Sequence, residues 1–250
     1  MEQRYFFRLS YDGSCFCGWQ RQQKSPSIQE EIEKALAKLY SHQSIPVVGC
    51  GRTDTGVHAL EYFMHVDLPQ RFSPEDLQFK LNGILPNQIA IHNIFPVSEE
   101  AHARFDATDR TYYYFIHHYK DPFKVATSYY HRGKLDIQAM NEACKLFIGS
   151  KDFTSFSKLH TDVKTNNCDV TQAKFVYLDA NTLRFEITAN RFLRNMVRAI
   201  VGTLLEVGQG KLYQQDIQAI LAKKDRGEAG TSAPAQGLFL VKINYPFETT

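Results

Sequence analysis

Arg4-Tyr5-Phe6-Phe7-Arg8-Leu9-Ser10-Tyr11 alternates as a strand does, with Tyr5, Phe7, Leu9 and Tyr11 on one side and Phe6, Arg8 and Ser10 on the other. Asp12-Gly13 is a turn signal that ends it. Pro26-Ser27-Ile28-Gln29-Glu30 then opens a helix, with Ser27 as its cap and Glu30 completing a capping box. Ile28, Ile32, Ala35, Leu36 and Leu39 recur at helical spacing and mark the buried face. Strands at 45–49 and about 60–68 follow. A second helix starts at Ser73, with Pro74 at its first position. A strand at 89–97 closes the set. The order β-α-β-β-α-β predicts a ferredoxin-like unit.

The rest of the chain repeats that order. A strand covers roughly 110–118, and Asp136 caps a helix burying Ile137, Met140, Ala143, Cys144 and Phe147. Strands near 173–179 and 182–189 precede a long helix from about 191 to 207, a shorter one near 213–223, and a last strand at 238–244. The segment 149–172 is long and polar for a connection. The expected fold is α+β. Two ferredoxin-like halves, 1–104 and 105–250, join into a mostly antiparallel sheet with helices on one face and a cleft between the halves.

Composition narrows the class. The chain has 250 residues, 43% hydrophobic and 22% charged, as an ordinary globular protein does. Its net charge of +2 does not announce a nucleic-acid partner, so the distribution of charge matters more than the sum. Five cysteines, with no Cys-x-x-Cys pair, argue against a zinc site or a disulfide framework and fit a reducing, cytoplasmic setting. The sequence suggests neither a signal peptide nor a membrane span.

Chemistry is concentrated in a few places. In Gly51-Arg52-Thr53-Asp54-Thr55-Gly56-Val57-His58 a carboxylate sits beside a guanidinium in a loop flanked by glycines. Asp54 there is either a turn-capping residue or a carboxylate for covalent or acid–base work. A phosphate loop is a third option, but Walker spacing and its lysine are missing. On a helix, Arg191, Arg194 and Arg198 would share a narrow arc opposite Leu193, Met196, Val197, Ile200 and Leu204. That arc is a solvated face or a grip for phosphate or carboxylate. On the strand at 110–118, Tyr112, Tyr114 and Ile116 share one face, and Tyr113, Phe115 and His117 the other. One face is core; the other could stack a base, but an aromatic-rich strand packed in a core is the reading accepted for most of these rings. His117 and His118 have no third ligand at metal spacing. Gly18-Trp19-Gln20-Arg21-Gln22 reads as a polar loop around the chain's single tryptophan, a composition that suits nucleic acid or a generic surface.

In combination these residues resemble the TruA-type tRNA pseudouridine synthases, nearly end to end. The likeness is carried by Tyr11-Asp12-Gly13-Ser14 with Gly18-Trp19-Gln20-Arg21-Gln22, and by Gly51-Arg52-Thr53-Asp54 with Gly56-Val57-His58. It continues through His102-Ala103-Arg104-Phe105, Ala107-Thr108 and Arg110-x-Tyr112-x-Tyr114. Asp152-Phe153-Thr154-Ser155-Phe156, Met196-Val197-Arg198 with Ile200-Val201-Gly202, and Gly237-Leu238-Phe239-Leu240-Val241 complete it. Two departures stand out. Thr55 takes the place of a usual alanine, and Glu61-Tyr62 takes the place of a common Gly-Gln pair.

The resemblance implies isomerisation of uridine to pseudouridine in the anticodon arm of tRNA, at uridines 38–40. Asp54 would be the nucleophile or base, and Arg198 its ionic partner. Tyr112 would be the active-site tyrosine, and Arg52 would hold the flipped nucleotide. Arg21, Arg191 and Arg194 would join Arg52 on phosphates. The family also implies a homodimer sharing one basic surface, the cleft as active site, and no metal or organic cofactor. A non-catalytic RNA-binding module on the same platform is the competing reading. A small-molecule-binding ferredoxin-like protein is a more distant one.

Overall fold

The computed structural model describes residues 2–158 and 165–247. The chain forms two compact units: one runs to Thr108 and regains the chain from Leu240, and the other is Asp109–Phe239. The fold is α+β, with ten strands and five helices among the described residues. Every strand pairing within the units is antiparallel except one short parallel pair.

In the first unit the order is β1 (Glu2–Tyr11), α1 (Ile28–Leu39), β2 (Val48–Gly49), β3 (His58–Pro69), α2 (Pro74–Ile84) and β4 (Ile89–Pro96). β1 lies between β3 and β4. Ser27 accepts from the Glu30 N–H at 3.3 Å and Ser73 from the Asp76 N–H at 3.2 Å, so both helices start where their caps predict. α1 buries Ile28, Ile32, Ala35 and Leu36, while Leu39 stays half-exposed.

One expectation needs correction here. The strand predicted at 45–49 shrinks to Val48–Gly49. Pro46 has no N–H for a ladder, and side chains of α1 take the Val47 backbone: Gln29 donates to its carbonyl and Glu33 accepts from its N–H. Phe6 keeps the side of β1 that alternation gives it, with Arg8 and Ser10. It is wholly buried among Phe95, Tyr245 and Phe247, with ring centroids 5.4 to 6.0 Å away.

The second unit contains β5 (Asp109–His117), β6 (Tyr129–Tyr130), α3 (Ile137–Cys144), β7 (Gly149–Asp152), β8 (Asn167–Asp179), β9 (Thr182–Ala189), α4 (Met196–Gly208) and α5 (Gln214–Lys223). The last strand, β10 (Leu238–Asn244), follows. β9 lies between β5 and β8, and β7 pairs with β8. Asp136 caps α3 through the Ala139 N–H at 2.9 Å. Met140, Ala143, Cys144 and Phe147 are buried, but Ile137 is only half-buried. The segment 149–172 is not one long connection. It contains β7, a short 3-10 turn at Thr154–Phe156 and the start of β8, and its residues 159–164 lie outside the described residues.

The long helix also starts later than predicted. α4 begins at Met196, because Asn195 has a left-handed backbone (φ 66°) that cannot belong to a right-handed helix. Arg191 and Arg194 therefore precede the helix, and the three-arginine arc does not exist. α4 is buried almost all round, with Ala199, Ile200, Val201, Gly202, Thr203 and Leu204 all inside. No described helix is long and apolar enough to cross a membrane.

His65, on β3, links this packing to pH. Its Nδ1 accepts from the Ala103 N–H at 3.0 Å, and its ring lies 4.7 Å from that of His102. Burial, then the nearby His102 and Arg4, push its pKa from 6.5 down to about 4, against the opposing pull of Asp67 and Asp106. The unfolded chain takes up the proton first. The stability tied to neutral His65 is thus complete above the unfolded value and is lost as pH falls towards the folded one. Between pH 7 and pH 5 this loss amounts to roughly 2 kcal/mol. His65→Asn keeps an acceptor for Ala103 without a titrating ring, so its urea midpoint falls less over that interval. Parallel falls in the two proteins would exclude His65 as the acid-sensitive group.

Candidate active site

The loop between β2 and β3 holds Asp54 half-buried, Arg52 exposed and Thr53 buried. Almost every residue around the carboxylate has its backbone fixed. The Trp19 N–H donates to the Thr53 carbonyl at 3.3 Å, and the Val57 N–H donates to the Asp54 carbonyl at 3.1 Å. The Gly56 N–H reaches the Phe16 carbonyl at 3.3 Å, and the Cys50 N–H the Phe63 carbonyl at 2.8 Å. Side chains hold the loop from beneath. Tyr11 Oη lies 2.9 Å from Thr53 Oγ1, and the Tyr62 hydroxyl donates to the Gly51 carbonyl at 2.5 Å.

The segment Cys17–Trp19 reaches the loop because α1 anchors it. The Ile28 N–H donates to the Gly18 carbonyl at 3.2 Å, and the Gln29 N–H to the Trp19 carbonyl at 3.0 Å. Gly18 has a positive φ of 84°, and a Cβ there would overlap the Thr53 carbonyl oxygen. Trp19 is therefore not the surface aromatic that its amide-rich neighbours suggested. It is 2% exposed and stacks on Tyr62, ring centroids 4.1 Å apart. The amides remain outside: Gln20 Oε1 accepts from Arg52 Nε at 3.1 Å.

At the end of β1, Asp12 meets His58, with Oδ1 3.1 Å from His58 Nδ1. Partial burial pushes the Asp12 carboxyl up. Bonds from the Ser14 hydroxyl and N–H, together with His58, outweigh that and hold it below the ordinary carboxylate value. The Gly13 N–H also donates to His58 Nδ1 at 3.2 Å, tying both ends of the motif region together.

The other predicted residues vary in setting. Arg21 pairs with Glu33 of α1 at 3.2 Å on an exposed surface. Arg194 is exposed and Arg191 half-buried. Arg198, half-buried on α4, is clamped by one residue: its Nε donates to the Ala233 carbonyl at 2.7 Å, and its own carbonyl accepts from the Ala233 N–H at 2.9 Å. Tyr112, half-buried on β5, meets Phe192 edge-on at 5.1 Å. Tyr114 and Ile116 are core, and burial pushes the Tyr114 phenol far up while its hydroxyl donates to the Pro234 carbonyl. The opposite face is covered in part, which fits the packed-core reading of these rings better than a base-stacking one. The Arg184 guanidinium lies 4.3 Å from the Tyr113 ring centre, and Phe239 packs on Phe115 at 5.2 Å. Thr55 is exposed, and nothing in the structure explains it in place of alanine.

A half-buried carboxylate on a rigid loop, beside an exposed arginine, can meet an anionic ligand and act as nucleophile or base. The anchors Tyr11 and Tyr62 were missed as parts of this site. Their only sequence signal is a pair of large aromatics close to glycines that leave them room. All five cysteines are free, and no group of three or more His, Cys, Asp or Glu among the described residues is placed to hold a metal ion.

Comparison with known proteins agrees with the geometry. A family model described as tRNA pseudouridine synthase matches residues 9–106 and 143–246. The chain is 52% identical over 248 residues to tRNA pseudouridine synthase A of Parabacteroides distasonis, covering 98% of this chain and 97% of that one. It is 49% identical to the protein of the same name from Porphyromonas gingivalis, covering 97% of each. With that of Bacillus subtilis it shares 40% identity, over 95% of this chain and 97% of that one.

The contact between Gly18 and Thr53 can be tested by stability alone. Gly18→Ala adds overlap and an unfavourable backbone, and is expected to cost about 1–3 kcal/mol in urea unfolding. At Gly51 a Cβ meets no atom within 4 Å, and Gly51→Ala is expected to change stability by less than about 1 kcal/mol. Equal losses would show that the loop does not rest on Gly18.

Proposed function

The chain belongs to the tRNA pseudouridine synthase family, and from that premise we propose that Asp54 carries out its isomerisation of uridine in tRNA. The observation that supports this most directly is the loop itself: a half-buried carboxylate in the family's motif, locked on both sides by backbone bonds. The reaction breaks the C1′–N1 bond, turns the base and joins C5 to C1′. N1 gains a proton and C5 loses one, so no oxidant or reductant is consumed. A carboxylate serves such chemistry as nucleophile or base.

We assign Tyr112 and Arg198 to the same reaction, Tyr112 as the aromatic that stacks on uracil and Arg198 as its cation. Arg52 holds the backbone of a nucleotide turned out of its stack. Arg194, Arg191 and Arg21 contact phosphates. The Arg21–Glu33 pair is exposed and is worth at most about 1 kcal/mol, so phosphate can displace it. The substrate region is the anticodon arm. A homodimer, by sharing its basic surface, reconciles RNA binding with a chain charge of only +2. The setting is the cytoplasm.

The test is incubation of pure protein with unmodified tRNA and assay for pseudouridine. Asp54→Asn is expected to lower product formation by more than about a thousandfold while tRNA affinity persists. Full activity in that variant would remove Asp54 from the reaction. Tight binding without product in the unaltered protein would favour a binding module. In the same assay Arg198→Met is expected to reduce kcat by about tenfold or more, and unchanged kinetics would take Arg198 out of the mechanism.

A further inference from the structure

We propose that Tyr62 is a positioning residue for Asp54, acting through the carbonyl of Gly51; this rests on the assignment of Asp54 above. Tyr62 stands on β3 and is fully buried. A buried phenol must find an acceptor, and this one finds the Gly51 carbonyl, three residues ahead of the carboxylate. The ring is itself held in place. It stacks on Trp19 at 4.1 Å and meets Tyr11 at 5.5 Å. Tyr11 shares its hydroxyl hydrogen bond with Thr53, the residue next to Asp54.

Gly49 shows how closely this stack is fitted, since a Cβ there would overlap both the Tyr62 hydroxyl and the Trp19 ring. Two phenols of one aromatic group thus hold Gly51 and Thr53, and the backbone between them has little freedom to redirect the side chain of Asp54. Tyr62 is also a point where the sequence departs from the Gly-Gln pair usual after the loop.

Tyr62→Phe keeps the ring and removes only the donor. It is expected to lower kcat about tenfold or more at saturating tRNA, while KM changes less than about twofold. A purely structural role would lower the melting temperature and leave kcat unchanged well below it. Trp19, the single tryptophan, lies against the Tyr62 ring, so an unchanged emission maximum certifies that the stack is intact. Unchanged kcat, or a change confined to KM, overturns the proposal, provided that Asp54→Asn measured alongside is inactive. If Asp54→Asn is active, the assignment of Asp54 fails first and the positioning role falls with it. If Tyr62→Phe does not fold, Tyr11→Phe, which removes the bond to Thr53, is judged by the same split between kcat and KM.

Discussion

A phenol sealed away from water has to donate its hydrogen bond to a neighbour, and in this chain Tyr62 donates to the Gly51 carbonyl in the loop ahead of Asp54. Much of the local architecture follows from accommodating that bond. Trp19 must lie flat on the ring, so the segment before α1 is drawn under the loop. Gly18 must lack a side chain for that segment to approach Thr53, and Gly49 must lack one for the two rings to fit. α1 then has a second task besides burying Ile28 and Ile32: its first N–H groups, spare donors at a helix start, hold the carbonyls of Gly18 and Trp19.

The second unit uses the same device with different parts. Arg198 stands half-buried on a helix that is otherwise buried almost all round. Ala233 grips it twice, through its carbonyl and its N–H. The same segment receives Asn195, whose amide donates to Ser232 at 2.6 Å, and fits over Gly202 because no Cβ intrudes. In each unit a side chain assigned above to the reaction is flanked by irregular backbone, and polar contacts hold that backbone still.

What could be read from the sequence was what is decided locally. Ser27, Ser73 and Asp136 cap their helices because a cap depends on three or four consecutive residues. The longer strands followed from alternation, whereas the one expected at 45–49 kept only Val48–Gly49. The burial of Phe6 was not legible because its partners Tyr245 and Phe247 come from the far end of the chain. The start of α4 was misread because Leu193 is buried like Met196 and Val197, so apolar spacing continues across a backbone that does not. Asp54 was visible as a motif, whereas the hydroxyls that hold it belong to aromatics whose pattern signals only core. Trp19 shows the same limit from the other side, since polar neighbours along the chain do not prevent its ring from turning inward.

Rigidity at this loop has a chemical reason. Charge moves during glycosidic cleavage, and a carboxylate that must first reorient adds that reorganisation to the barrier. A loop of small residues would make Asp54 easy to place and equally easy to displace. Here glycines supply closeness and the aromatics supply stiffness: Gly18 lets its segment approach Thr53, Gly49 leaves room for Tyr62 and Trp19, and the hydroxyls of Tyr62 and Tyr11 fix the carbonyl of Gly51 and the side chain of Thr53. The Arg52 side chain stays exposed, with Nε donating to Gln20. On the assignment proposed above, the group that meets the nucleotide backbone is thus distinct from the hydroxyls that hold Gly51 and Thr53 beneath Asp54.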